Sequence, residues 1–133
     1  MSVEANKQLV RDYWKAFAVD VDKAFEFMSE DVVYQLPPGS GGGEMSKTEV
    51  RAILSFVMSH FAQTPVITIP SMIGEDDKIA MELKLEVPLK DGRRYDNVYC
   101  FMITIRDGRI ARIHEYPDTY YASTRGFIRA PQA

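Results

Sequence analysis

The side chains best able to move protons in this chain are Glu82 and Lys84 in Met81-Glu-Leu-Lys-Leu-Glu86, Glu115 in His114-Glu-Tyr-Pro-Asp118, and the tyrosines Tyr13, Tyr34 and Tyr99. A lysine between carboxylates stays charged and holds them ionised, while partial burial lifts one carboxyl toward the pKa of a useful general base. Glu115 is the first candidate for base or acid. Tyr99, Tyr34 or Tyr13 would donate a hydrogen bond to a developing oxyanion, and Asn97 would orient a carbonyl or a water. Together these groups point to cofactor-free proton transfer, cyclisation or hydration on a small apolar substrate. His60 and His114 have no recognisable ligand spacing, so no metal is expected. Each group also has a plain structural reading. Glu82 and Lys84 can form an ion pair and nothing more, Tyr13 and Trp14 can be core aromatics, and Asp118 can cap the turn after Pro117.

Which of these side chains meet depends on strand register, because residues alternate between the two faces of a strand. A two-residue hairpin at Asp91-Gly92 pairs 86 with 97, 84 with 99 and 82 with 101. One face then carries Glu82, Lys84, Glu86, Asn97, Tyr99 and Phe101, and the other pairs Leu85 with Val98, Leu83 with Cys100 and Met81 with Met102. Both faces call for burial. The expected solution is a mixed face lining a cavity closed by helices and an apolar face covered by a second subunit. At Arg106-Asp-Gly-Arg109, a three-residue loop with Gly108 left-handed sets Glu115 beside Tyr99 and Ile113 beside Phe101. A two-residue turn would instead send Arg112 and His114 inward.

The elements that hold these residues follow from hydrophobic period and turn signals. Apolar residues at 9, 10, 13, 14, 17, 21, 24, 25 and 28 predict a helix from Leu9 to Met28, or two pieces broken near residues 18–22 with Asp20 or Asp22 as cap. Ser29-Glu-Asp31 then leads into a strand, Val32 to Leu36, stopped by Pro37 and Pro38. The glycine-rich run at 39–43 lacks the Gly-Lys-Ser/Thr ending of a phosphate loop and reads as a flexible loop. Ser46-Lys-Thr-Glu49 is a capping box, and the helix it starts should run to about Ala62 with Val50, Ile53, Leu54, Val57, Met58 and Phe61 on its buried stripe. Four antiparallel strands follow, Val66 to Ile73, Lys78 to Leu89, Arg93 to Arg106 and Arg109 to Tyr116, then a short helix at Thr119 to Ser123. Helices followed by an antiparallel meander define an α+β arrangement.

With 133 residues, the chain has the length of one domain with a core of its own. A net charge of -3 and no basic cluster argue against nucleic acid and anionic lipid as partners, and favour a small hydrophobic ligand. The lone cysteine, Cys100, excludes an internal disulfide and, in its apolar run, reads as a buried thiol. A polar start and no long apolar run predict a cytoplasmic protein that does not enter a membrane.

The run Gly92-Arg-Arg-Tyr-Asp-Asn-Val-Tyr99, the turn Asp107-Gly-Arg-Ile110 and Glu115-Tyr-Pro-Asp-Thr119 resemble the last hairpin of the SnoaL-like and ketosteroid-isomerase-like branch of the NTF2-like superfamily. Leu9 to Phe17 and Glu30 to Tyr34 extend the resemblance over nearly the whole chain. It implies a cone-shaped α+β fold, N-terminal helices packed on a curved antiparallel sheet around a pocket, often as a homodimer. On this basis residues 1–133 form one SnoaL-like domain, with 124–133 a flexible tail. Against the limonene epoxide hydrolase pattern, Tyr34 matches and Glu115 replaces an Asp, while Glu82, Lys84 and Leu36 replace an Arg, an Asp and an Asn. Against the ketosteroid isomerase pattern, Tyr13 corresponds to the oxyanion tyrosine, and Leu36 and Phe101 stand near the positions of its two aspartates.

The expectation is therefore a cofactor-independent acid/base enzyme of isomerase, cyclase, dehydratase or hydrolase type. Glu115, Lys84, Glu82 and Tyr99 would be catalytic, and Tyr13, Trp14, Tyr34, Leu36, Asn97, Phe101 and Ile113 would bind substrate. The alternative is a noncatalytic small-ligand-binding or dimerisation module of the same fold.

Overall fold

A computed structural model describes residues 2–40 and 43–128. Helix α1 spans Val3–Val19 and α2 Val21–Phe25, broken at Asp20, whose carboxylate accepts from the Asp22 N–H at 2.9 Å and caps the second helix. The first helix begins six residues before Leu9, with Ser2 as its cap. The helical period past Phe25 does not hold. Met28 opens strand β1, Met28–Gln35, and Ser29-Glu-Asp31 lie within it, because β1 pairs in parallel with the last strand from Met28↔Ile110 onward. Pairing with a distant strand has overridden local periodicity.

A two-residue strand β2, Glu44–Met45, pairs with the end of β1, and helix α3, Lys47–Met58, follows behind the expected capping box, with both reciprocal bonds between Ser46 and Glu49 in place. Strands β3 (Val66–Glu75), β4 (Lys78–Pro88), β5 (Arg94–Arg106) and β6 (Arg109–Pro117) form the antiparallel meander, and helix α4, Thr119–Thr124, starts at Asp118, which caps it. The sheet order is β2-β1-β6-β5-β4-β3, six strands curved around the helices. Pro70 sits on the edge strand β3 where its register with β4 shifts, a place that needs no ladder N–H.

Register differs from the sequence reading at both hairpins. The loop between β4 and β5 holds three residues, Lys90-Asp91-Gly92, with Gly92 at φ +89, rather than two. This pairs Leu83 with Tyr99, Leu85 with Asn97 and Met81 with Phe101, so one extra loop residue moves Glu82, Lys84 and Glu86 to the other face. Between β5 and β6 the turn is the two-residue Asp107-Gly108, both left-handed, and a bulge between Thr104 and Ile105 absorbs one residue of β6. The bulge restores the parity that a three-residue loop would have given. Glu115 and Ile113 therefore share the inner face, but Glu115 stands across from Phe101 and Ile113 across from Ile103.

The core lies between α1 and the inner face of the sheet, where Val10, Tyr13, Trp14 and Phe17 pack with Met81, Leu83, Phe101, Ile103 and Ile113. Burying a Phe or Leu side chain of this kind contributes about 1.5–3 kcal/mol. On the outer face Cys100 is exposed, opposite Glu82, so the thiol is not buried as its apolar neighbours in sequence suggest.

Candidate functional site

The parallel pairing of β1 with β6 sets Tyr34 against Ile113, which brings its phenol to Glu115 two residues further on. The Tyr34 hydroxyl donates to Glu115 Oε1. Burial lifts the Glu115 carboxyl from 4.5 to about 7, and the Tyr34 hydrogen bond offsets part of that rise. A carboxyl poised there exchanges protons in both directions near neutral pH. Tyr34 and Tyr13 are themselves pushed above the ordinary phenol range by burial and by the Glu115 charge, so both are neutral donors. The Tyr13 hydroxyl and the Trp14 indole N–H have no hydrogen-bond partner among the described residues.

A second polar group lies on β5. Asn97 Nδ2 donates to the Tyr95 hydroxyl at 2.9 Å, and the Tyr95 and Tyr99 hydroxyls are 2.8 Å apart. Burial raises the pKa of both tyrosines. Tyr99 stacks on Phe101 with ring centroids 5.6 Å apart, and Phe101 meets Trp14 at 4.8 Å, giving one aromatic wall.

Between this wall and α3 lies a tight, apolar cavity of about 70 Å³. Val50, Leu54 and Val57 of α3 line it together with Leu83 and Leu85 of the sheet, and so do Phe127 and Ile128. Ligand pockets commonly measure about 300–1,000 Å³, so the cavity is small beside them. Helix α3 buries only Val50 fully and leaves Ile53 and Phe56 exposed, so little packing holds it in place. Among the described lining residues Glu115 is the one carboxyl, and no Lys, Arg or His joins it.

Of the residues singled out in the sequence, Trp14, Tyr34, Leu36, Tyr99, Phe101 and Glu115 line the cavity. Tyr13, Asn97 and Ile113 are buried next to that layer. Glu82 and Lys84 are exposed on the outer face, turned away from Glu115 by the hairpin register, and the catalytic cluster expected around Lys84 is not assembled. His114 also faces outward, stacked on Tyr116. Asp118 accepts from Tyr121 N–H as a helix cap. Tyr95, absent from the sequence-based candidates, also lines the cavity, and its spacing of two and four from Asn97 and Tyr99 was the available signal. Phe127 and Ile128, within the stretch read as a tail, pack against the cavity, and residues 129–133 lie outside the described residues. Among the described residues no group of three His, Cys, Asp or Glu side chains is arranged to hold a metal ion.

The SnoaL-like domain family matches residues 10–113, and the chain belongs to that family. No curated protein matches the sequence significantly. Solved structures share the fold at low identity. AclR of Streptomyces galilaeus, a proposed hydroxylase, is 15% identical with TM-score 0.81, the match covering 93% of this chain and 85% of that one. An NTF2-like protein of Burkholderia pseudomallei is 24% identical with TM-score 0.77, covering 98% and 100%. IdmH of Streptomyces antibioticus, a proposed polyketide cyclase, is 18% identical with TM-score 0.76, covering 90% and 96%. The fold is thus NTF2-like: helices on a curved, open, mostly antiparallel sheet. Among the described residues no helix is long and apolar enough to cross a membrane.

Proposed function

We propose that the protein is an acid/base enzyme acting on a small, uncharged, hydrophobic molecule, with Glu115 as the group that takes and returns the proton. The observation that carries this reading is a single carboxyl inside an apolar cavity, raised to about 7 and held by Tyr34. Buried acids tuned toward neutrality are concentrated at catalytic sites. Tyr99 faces the same cavity and supplies a neutral donor to an oxygen that gains charge as a neighbouring C–H is deprotonated. Among the described lining residues there is no cation, so an anionic substrate would meet Glu115 without compensation from them, which favours an uncharged one. Glu82 and Lys84 have no part in this scheme. Structural neighbours described as a proposed hydroxylase and a proposed polyketide cyclase are in line with an enzyme of this fold.

The test is solvent deuterium exchange at the α-carbon of 2-tetralone, followed by NMR. Glu115→Gln is expected to abolish catalysed exchange while leaving ligand binding intact. Exchange that persists in the variant removes Glu115 as the base. Binding without any exchange in either protein establishes the noncatalytic ligand-binding module instead.

Two further expectations stay with this proposal. A homodimer would cover the outer sheet face, where Val98, Met102 and Tyr116 remain exposed between charged residues, and light scattering at about twice the 15.2 kDa chain mass would show it. A reducing compartment such as the cytoplasm suits the exposed Cys100 thiol.

A further inference from the structure

Helix α4 has six residues and buries only Ala122, yet side chains fasten it to the start of β5. The Tyr121 hydroxyl donates to the Arg94 carbonyl at 3.2 Å and accepts from the Asp96 N–H at 2.9 Å. Arg125 Nε donates to the same carbonyl at 2.8 Å, with its guanidinium 4.8 Å from the centre of the Tyr121 ring. Arg93 donates to the Thr124 carbonyl at 3.2 Å. Past the helix the chain turns back at Gly126, φ +75, where the Gly126 N–H donates to the Ser123 carbonyl and the Phe127 N–H to the Ala122 carbonyl, both at 3.1 Å. These paired bonds make a Schellman turn, which fixes the direction of the residue after the glycine. That residue is Phe127, whose ring meets the Tyr95 ring edge-on with centroids 4.8 Å apart.

Tyr95 and Phe101 lie on one face of β5 with their Cα atoms about 20 Å apart by the rise of a strand. Glu115 stands across from Phe101, while Phe127 packs on Tyr95, and all four residues line the cavity. The carboxyl and Phe127 therefore belong to different stretches of the same wall. We infer that Phe127 is a specificity-determining residue, a wall built by the turn at Gly126 that limits how far an apolar ligand extends along β5 from Glu115. The inference rests on the reading of this cavity as the ligand site and deepens it by naming the residue that selects ligand length. The Phe127 ring offers a ligand no polar atom, so a chain that reaches it gains burial up to the ring and none beyond. Leu83 and Leu85 are fixed by the strand ladders on both sides of β4, whereas Phe127 owes its place to one turn. Gly126 acts through Phe127 and is a positioning residue.

The test is calorimetric binding of straight-chain ketones from 2-butanone to 2-decanone. Each methylene taken into the cavity should tighten binding about fourfold, and in the wild type the gain should stop at a limiting chain length. Phe127→Ala should carry the gain on to longer ketones and leave the shortest unaffected, and Phe127→Leu, which keeps an apolar filler, should set an intermediate limit. Gly126→Asn, which accepts the left-handed backbone, should keep the wild-type limit, whereas Gly126→Val, which does not, should move it as Phe127→Ala does. An identical limit in the wild type and both Phe127 variants overturns the inference, as does an equal weakening of every ketone, which would make Phe127 a packing residue only. A wild-type limit in Gly126→Val overturns the positioning role of that glycine. Ketones that bind none of these proteins remove the cavity as a ligand site, and the inference with it. Each readout is of binding, so a failed length limit leaves the part of Glu115 to be decided separately by deuterium exchange.

Discussion

Replacing Glu115 by Gln should remove a pH dependence from folding stability. In the unfolded chain this carboxyl ionises at its ordinary value of 4.5, and in the folded protein at about 7. Between those values the folded state holds a proton that the unfolded state has released, so raising the pH favours unfolding across that window and has no further effect above it. At 1.36 kcal/mol for each tenfold change, the wild type loses roughly 3 kcal/mol between pH 4.5 and 7.5 from this group. Glu115 as a whole residue is only half-buried, which makes that figure an upper bound. Gln keeps an oxygen for Tyr34 to donate to but carries no charge at either pH. Surface carboxylates work in the opposite direction. Glu49, Asp91 and Asp96 are held low by bonds from Ser46, Arg93 and Arg94, so their contribution is present above the ordinary carboxylate range and lost in acid. They are common to both proteins and cancel in the difference. Urea unfolding of wild type and variant at pH 4.5 and 7.5 should show the variant gaining on the wild type by up to about 1–3 M in midpoint at the higher pH. Parallel pH profiles in the two proteins would refute a raised carboxyl at this position.

The remaining predictions probe the surroundings of that group and the register that placed it. Tyr34→Phe removes the hydrogen bond that restrains Glu115, so the midpoint of the wild-type pH profile should move above 7, as read by the same unfolding series; a move downward contradicts the assignment. Glu82→Gln and Lys84→Ala should leave turnover intact, because both side chains lie on the outer face of the sheet, away from the cavity. Gly92→Ala places a Cβ at φ +89 in the three-residue loop and should cost about 1–2 kcal/mol in thermal or chemical unfolding, although no neighbouring atom lies within 4 Å of that Cβ.

The order of elements, the capping box and the meander were legible because each is written in local chemistry: period, cap residues and Asp-Gly turns. Faces were legible only as far as loop length could be counted. In the β4–β5 hairpin one extra residue recombined the strands, so that Leu83 and Leu85 share a face with Tyr99 and Asn97, while Glu82 and Lys84 share one with Val98, Cys100 and Met102. This resolves the puzzle that both faces of the hairpin called for burial: the apolar half of β4 belongs with the aromatic half of β5. Glu115 reached the inner face with the expected parity by another route, a short turn plus a bulge. No local signal reports a bulge of that kind. The Met28 to Asp31 segment of β1 was hidden for a related reason, since its partner is 82 residues away at Ile110 and its own sequence continues a helical pattern.

The direct measurement is a pH titration of the Glu115 side-chain carboxyl by 13C NMR in the folded protein, with Glu115→Gln used to assign the signal. A midpoint near 7, moved by Tyr34→Phe, is the result the acid/base account predicts. A midpoint at the ordinary 4.5 would mean that the carboxyl is hydrated rather than held in an apolar cavity, and would contradict the account.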